Sequence, residues 1–559
     1  MDGHSEEFIL TNPIPTTSGK IRGFRDETNQ VHAFIGIPYA KPPTGSLRFR
    51  PTVPLDTPDT ERICTAYPPS APQTNMPFDT LMCVEINYQS EDCLYMNIWR
   101  PASAATDNAK PVIVWFHPGA CLSGSCSQPF WDGTHLAKND VIVVNFNYRL
   151  GALGWMSMDH LSSELKGSAN LGLLDQITVL KWVQKNISSF GGDPNNITAF
   201  GSSAGAACIM SVILSPNTAG LFHRVILQSP PMFMTSPQDW AEFKGTVFAR
   251  SLGLGTSNLL SDLQSIEVET FLESQTFMTT WPNFLEGLAP ISSSVDNYLL
   301  HDTLIEYFFH RPLPAGYEQL EIIMGYTRDE FNFFFPFLPN FQEMDESMFV
   351  RTYFTHVFGH KNARRAYEIY KQEIVPPMSP PSEIARYMCS DVMCRIATLL
   401  TSENLVKHGH KVYVYQWDYE SNDVQNVIKA AHMVDSIFSW DNLVYWTDNP
   451  FLGPGDEYER DRIAKQISRS IVRFAKTGNP NHDGIPLWPA HSLEERSAIV
   501  FDREVRVEDN MYQTGVHLWK TILKDYVTNS LFPIKPKTKD MPKDDASEGI
   551  NKRRRVDES

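Results

Sequence analysis

No apolar run in this 559-residue chain reaches the ~18 residues that a membrane-crossing helix needs. The longest, Pro111–Phe116 and Val141–Phe146, are strand-sized. Cysteine is sparse: eight are spread over the whole length, with no Cys-x-x-Cys pair. That is too few for a disulfide scaffold and the wrong spacing for a zinc ribbon. Cys389 and Cys394 read as thiols buried on a helix. Basic charge is short as well, with 48 Lys and Arg against 65 Asp and Glu and a formal net charge of −17. A nucleic-acid binder needs a basic face to displace counterions, so the balance points away from that class. The opening Met1-Asp2-Gly3-His4-Ser5-Glu6-Glu7 has neither the basic stretch nor the apolar core of a secretory leader.

What is present is apolar enough, at 42%, to bury a large core. Proline, 39 residues, exceeds the usual share of about 5% and implies long punctuated loops. Residues 8–10, 19–24 and 31–38 read as short strands. Residues 94–99, 111–117 and 141–148 are stronger strands, rich in Val, Ile and aromatics. The last two alternate little, which suits strands covered on both faces. Leu174, Ile177, Leu180 and Val183 recur at three-residue spacing and predict an amphipathic helix over 170–186. Further strands are expected at 197–200, 223–228, 320–325 and 411–419, and a helix at 204–214. Strands alternating with helices predict an α/β fold with a large, mostly parallel sheet, flanked by helices and carrying long insertions. Length alone suggests roughly three to four domains. With no repeat and no clean linker, residues 1–534 are instead expected to form one domain. Residues 535–559, with eight basic and six acidic residues, are expected to be a disordered tail.

The chemistry begins at Gly201-Ser202-Ser203-Ala204-Gly205. A Gly-x-Ser-x-Gly string between a strand and an apolar helix suits a strained turn that lifts the Ser203 hydroxyl out of the sheet. The bare pattern also fits a helix-capping turn; its context favours a nucleophile. The helix start offers unpaired N–H groups, among them that of Ala204. His117-Pro118-Gly119-Ala120 follows the strand at 111–116, and the N–H groups of Gly119 and Ala120 are candidate partners in an oxyanion hole. His117 itself reads as a packed, hydrogen-bonded histidine.

These strings, with FIGIPYAKPPTGSLRF (34–49), SEDCLYMNIWRP (90–101), NFNYRLGALGW (145–155) and LFHRVILQSP (221–230), resemble the type-B carboxylesterase family of the α/β-hydrolase superfamily, over roughly residues 8–530. The resemblance implies a chain order of serine, acid, histidine. Glu330, in the loop after the strand at 320–325, takes the acid's place, with Asp329 as its neighbour and rival. His432, after the strand at 411–419, takes the base's; His408 and His410 precede that strand and belong to a helix end. The implied activity is a serine carboxylesterase cleaving small neutral esters through an acyl-enzyme, with no metal or organic cofactor. Glu91, Arg48, Arg149 and Asp175 resemble the family's buried ion-pair residues, and Asn186 and Asn196 are expected to be structural rather than glycosylated.

Departures from the family carry expectations of their own. Ser202 stands where the family usually has Glu, which removes a charge beside the site. The choline-binding tryptophan of cholinesterases falls at Cys83, and no Trp occurs between Pro51 and Ile98. Ala120 replaces a glycine and puts a Cβ where bulky alcohol groups would come. Secreted relatives pair the cysteine at Cys93 with one that is Ala71 here, and a Cys83–Cys93 bridge is the remaining option. Missing bridges and leader favour a cytoplasmic compartment. Lys552–Arg555 suits either nuclear import or a solvated charge run. Residues 332–341, with five Phe, and 230–234 are candidate walls of an apolar gorge, or core. The rival functions on this fold are an adhesion protein like the neuroligins and a slow hydrolase that sequesters esters.

Overall fold

The computed structural model describes residues 9–82, 84, 86, 88–278, 291–338, 340–422, 427–447 and 449–526. The expected tail, Lys552–Arg555 and Cys83 lie outside them. An eleven-stranded sheet carries the fold. Its strands in chain order are β1 (Phe24–Asp26), β2 (Val31–Pro38), β3 (Tyr95–Pro101), β4 (Lys110–Phe116), β5 (Ile142–Phe146), β6 (Gly192–Ser202), β7 (Arg224–Gln228), β8 (Glu321–Thr327), β9 (Val412–Trp417), β10 (Ala498–Phe501) and β11 (Arg506–Glu508). In space they run β11-β10-β9-β8-β7-β6-β4-β5-β3-β2-β1. Every neighbouring pair from β5 to β10 is parallel, and the pairs at both edges are antiparallel.

The unalternating strings end up where their composition demands. Val112–Phe116 and Ile142–Phe146 are wholly buried, as strands covered by helices on both faces must be. Helix α2 (Leu171–Asn186) is more enclosed than its three-residue spacing predicts, exposing chiefly Lys181 and Lys185. It is pressed between β6 and the helix α3 (Ala204–Leu214).

The N-terminal strands differ from expectation. Leu10 makes only an isolated bridge to Phe24. The run 19–24 divides at Gly23, with Gly19–Arg22 pairing Ile14–Thr16 in a small sheet while Phe24–Asp26 joins the large one. At Gly23 a Cβ would lie 2.0 Å from the Ala33 carbonyl oxygen, so only glycine passes there.

Register sets the site. Ser202 pairs with Gln228 across β6 and β7, and Gln228 with Gly325 across β7 and β8. The carboxyl ends of the central strands therefore open side by side, where ligands of α/β sheets bind. Beside them lie a five-residue helix, α1 (Pro77–Leu81), and a short helix, α4 (Val434–Ser439), whose Ser436 reaches Ser202 and Gln228 at the strand ends.

Candidate active site

Ser203 sits between β6 and α3 with φ 52° and ψ −126°. A non-glycine residue there is strained, and such strain persists only where the surroundings over-determine it. Here the Ser203 N–H donates to the Gln228 carbonyl at 2.8 Å. The flanking glycines let α3 close on the sheet. A Cβ on Gly205 would lie 2.0 Å from the Phe116 oxygen, and one on Gly201 2.7 Å from the Gly205 backbone.

The loop after β4 folds back tightly. Gly119 has φ +117°, and its carbonyl accepts the N–H groups of Leu122 at 2.8 Å and Ser123 at 2.9 Å. A Cβ there would lie 2.1 Å from the Ser123 oxygen. Ala120 and Cys121 follow at φ 56° and 60°, in the left-handed region. Among the described residues, the N–H groups of Gly119, Ala120 and Ala204 donate to no backbone carbonyl. His117 is the packed histidine expected. Its Nδ1 lies 2.8 Å from the Pro118 oxygen, its ring stacks on Tyr148 at 4.4 Å, and burial pushes its pKa down to about 4.

Glu330 and His432 meet. The imidazole Nδ1 donates to Glu330 Oε2 at 2.6 Å, with both side chains buried. The other carboxylate oxygen accepts the Ser229 hydroxyl at 2.6 Å and the Thr327 N–H at 2.8 Å. Asp329, the rival, is turned to Arg328 at 2.8 Å and the Ala430 N–H at 3.4 Å. His408 caps a helix, and His410 contacts the Leu320 carbonyl. The rings of Phe333 and Phe334 lie 5.8 and 5.7 Å from that of His432 and limit its movement.

Ser203 and His432 open on one cavity of about 60 Å³, together with Gly119 and Ala120. A hydrogen bond thus joins the Glu330 carboxylate to the imidazole, and Ser203 lines the same cavity as that imidazole. The phenylalanine run splits. Phe333 and Phe334 line the cavity, while Phe335 and Phe341 pack on each other at 5.4 Å. Pro231, Phe233 and Met234 of the second expected segment also line it. Sequence reasoning missed Phe78, Asp79, Gln128, Phe130 and Trp131, which also line the cavity. It also missed Ser229, whose signal was its place directly after a central strand.

Next to Ser203 in the chain, Ser202 accepts a hydrogen bond from Ser436 at 2.8 Å. Near it Asp435 is fully buried and accepts from Tyr415 at 2.6 Å, and burial pushes its pKa up to about 6. Glu330, Cys394 and His432 hold their ligand-type atoms within 4.8 Å of one another. Nδ1 is occupied by Glu330, however, and the Cys394 thiol donates to the Ser229 carbonyl at 3.2 Å. The expected ion pairs form, Arg48 with Glu91 at 2.7 Å and Arg149 with Asp175 at 2.8 Å. Asn186 is buried, accepting the Thr17 N–H at 2.9 Å.

The chain matches the model of the carboxylesterase family over residues 11–519. It is 33% identical to the para-nitrobenzyl esterase of Bacillus subtilis over 519 residues, 90% of this chain and 97% of that one. It is 30% identical to the phenmedipham hydrolase of Pseudarthrobacter oxydans, covering 89% and 96% of the two chains. The crystal structure of a Geobacillus stearothermophilus carboxylesterase superposes with a TM-score of 0.78 at 31% identity, covering 91% of this chain and all of that one. With this match spanning the sheet and all the loops that meet at Ser203, the chain belongs to the carboxylesterase family, an α/β-hydrolase family of carboxylic ester hydrolases.

Proposed function

We propose that the protein hydrolyses small carboxylic esters with Ser203 as nucleophile, His432 as general base and acid, and Glu330 as the carboxylate that steers the imidazole. Ser203 Oγ attacks the ester carbonyl carbon while its proton passes to His432 Nε2. The N–H groups of Gly119, Ala120 and Ala204 receive the charge that develops on the carbonyl oxygen. Collapse of the tetrahedral adduct expels the alcohol, which takes the proton from His432. Water then gives a proton to His432 and attacks the acyl-enzyme, releasing acid and free serine. Glu330 holds the Nδ1–H tautomer and balances the imidazolium.

The observation that carries this reading is the 2.6 Å bond from His432 Nδ1 to Glu330, both beside the cavity that Ser203 lines. The phenylalanine and methionine walls favour neutral, lipophilic acyl and alcohol groups, and methionine side chains adapt to varied shapes. Para-nitrobenzyl esters and phenmedipham, in the names of two relatives, are the first probes to try. Labelling with a fluorophosphonate and mapping the modified peptide tests the assignment. The label is expected on Ser203, and a label on any other residue refutes it.

A reducing, cytoplasmic location is part of the proposal. The seven described cysteines are free and buried, Cys93 among them. Alkylation of the denatured chain without reductant should count all eight thiols, and six would oppose it.

A further inference from the structure

Asp79 is a carboxyl group that ester cleavage by the triad does not use. It lines the same cavity as Ser203 and His432 and is only 5% exposed. One oxygen accepts the Met76 N–H at 2.8 Å, capping α1. The other accepts the Ser123 hydroxyl at 3.3 Å, from the turn that shapes the oxyanion loop. Both donors are neutral. Among the described residues no Lys, Arg or His forms an ion pair with Asp79. The cavity lining it shares is largely apolar, with Phe78, Met82, Val84, Phe130 and Phe333 alongside Ser123 and Gln128.

A carboxylate has about four lone-pair positions, so two neutral donors leave capacity for a third partner. A helix cap alone needs one oxygen and no burial. A carboxylate shut in an apolar wall without a cation is costly, and a cation delivered by the bound molecule removes that cost. We infer that Asp79 is a specificity-determining residue that selects esters carrying a protonated amine, the ammonium group pairing with its carboxylate while Ser203 attacks. The inference rests on the cavity being the ester site, and it extends the substrate range beyond neutral esters. It also supplies a negative charge to the cavity that Ser203 lines.

Burial raises the Asp79 pKa to about 6, so the side chain is charged at neutral pH and uncharged in mild acid. The other titratable groups around the cavity, among the described residues, are His432 with Glu330 behind it and His117 behind the oxyanion loop. His117, with its pKa at about 4, stays neutral.

The test compares kcat/KM for amine-bearing esters and their carbon isosteres in the full chain. Dimethylaminoethyl butyrate against isoamyl butyrate places the amine on the alcohol. Dimethylglycine ethyl ester against ethyl isovalerate places it on the acyl group. In Asp79→Asn, which keeps an acceptor for the Met76 N–H, the amine-to-isostere ratio is expected to fall about tenfold on one arm, and that arm identifies the side of the ester that meets Asp79. A change of less than about threefold on both arms overturns the inference. A purely capping role would lower the melting temperature and leave both ratios alone. Should the variant not fold, the wild-type ratio on its own decides. It is expected to rise between pH 5 and 7, where both amines stay largely protonated, with a midpoint near 6, and a flat ratio overturns the inference. Isoamyl butyrate turnover by Ser203→Ala tests the ester-site reading separately, since it does not involve Asp79.

Discussion

Ala120 is the residue at which the local backbone and the substrate compete. Its φ of 56° favours glycine, yet it bears a Cβ on the cavity wall beside the proposed oxyanion donors. Replacing it by glycine relieves a strain of order 1 kcal/mol and frees the unfolded chain by a similar amount, so stability should change by less than about 1 kcal/mol. Selectivity should change more. Ala120→Gly is expected to raise the rate on branched acetates relative to linear ones, and an unchanged relative rate in paired assays would show that the Cβ is not the barrier.

Asp435 gives a pH signature at the same scale. Its folded pKa of about 6 lies above the ordinary carboxyl value of 3.8. Between these values the folded chain holds a proton that the unfolded chain has lost. The resulting stability is fully present below pH 3.8 and is lost as pH rises through 6. Asp435→Asn should therefore flatten the melting temperature against pH across that window, and an unaltered slope would place the titration elsewhere. The proposed places of Ser203, Glu330 and His432 could be read because each follows a strand in a string that resembles the family's. Asp79 could not, since one Asp in the string NMPFDTLM carries no periodicity, and only the contact of Phe78 with Phe333 at 5.9 Å folds that segment against the acid loop.

At the scale of elements, α2 is fastened to the chain after β5 through Arg149 and Asp175. The guanidinium donates to both Asp175 oxygens, at 2.9 and 2.8 Å, and to the Arg50 carbonyl at 2.8 Å. It thereby ties the chain just after β5 to α2 and to the loop before Thr52. Removing one partner strands a buried charge, so Arg149→Met is expected to cost about 3–5 kcal/mol in denaturant unfolding. Adding Asp175→Leu should return part of it. A single variant within 1 kcal/mol of wild type would show that water already reaches the pair.

The long apolar strands could be read directly, and α3 matches its expected range residue for residue. The last two strands could not. Ala498–Phe501 has four apolar residues and Arg506–Glu508 has one, and each becomes a strand only because β9 and then β10 offer an edge. Gly23 shows the opposite limit. A single extended string divides between two sheets because of a close backbone approach that no local pattern encodes.

At the scale of the whole molecule, the parallel sheet gathers distant residues. Ser203, Glu330 and His432 are brought together because β6, β8 and β9 all end on one side. Chain order and strand order thus make the site, and the loops around it decide what enters. The most direct measurement is kcat for a short para-nitrophenyl ester with Ser203→Ala, alongside its circular dichroism and melting curve. The account predicts a loss of at least about 10⁴-fold in a protein that stays folded. A folded variant that keeps wild-type turnover would contradict it.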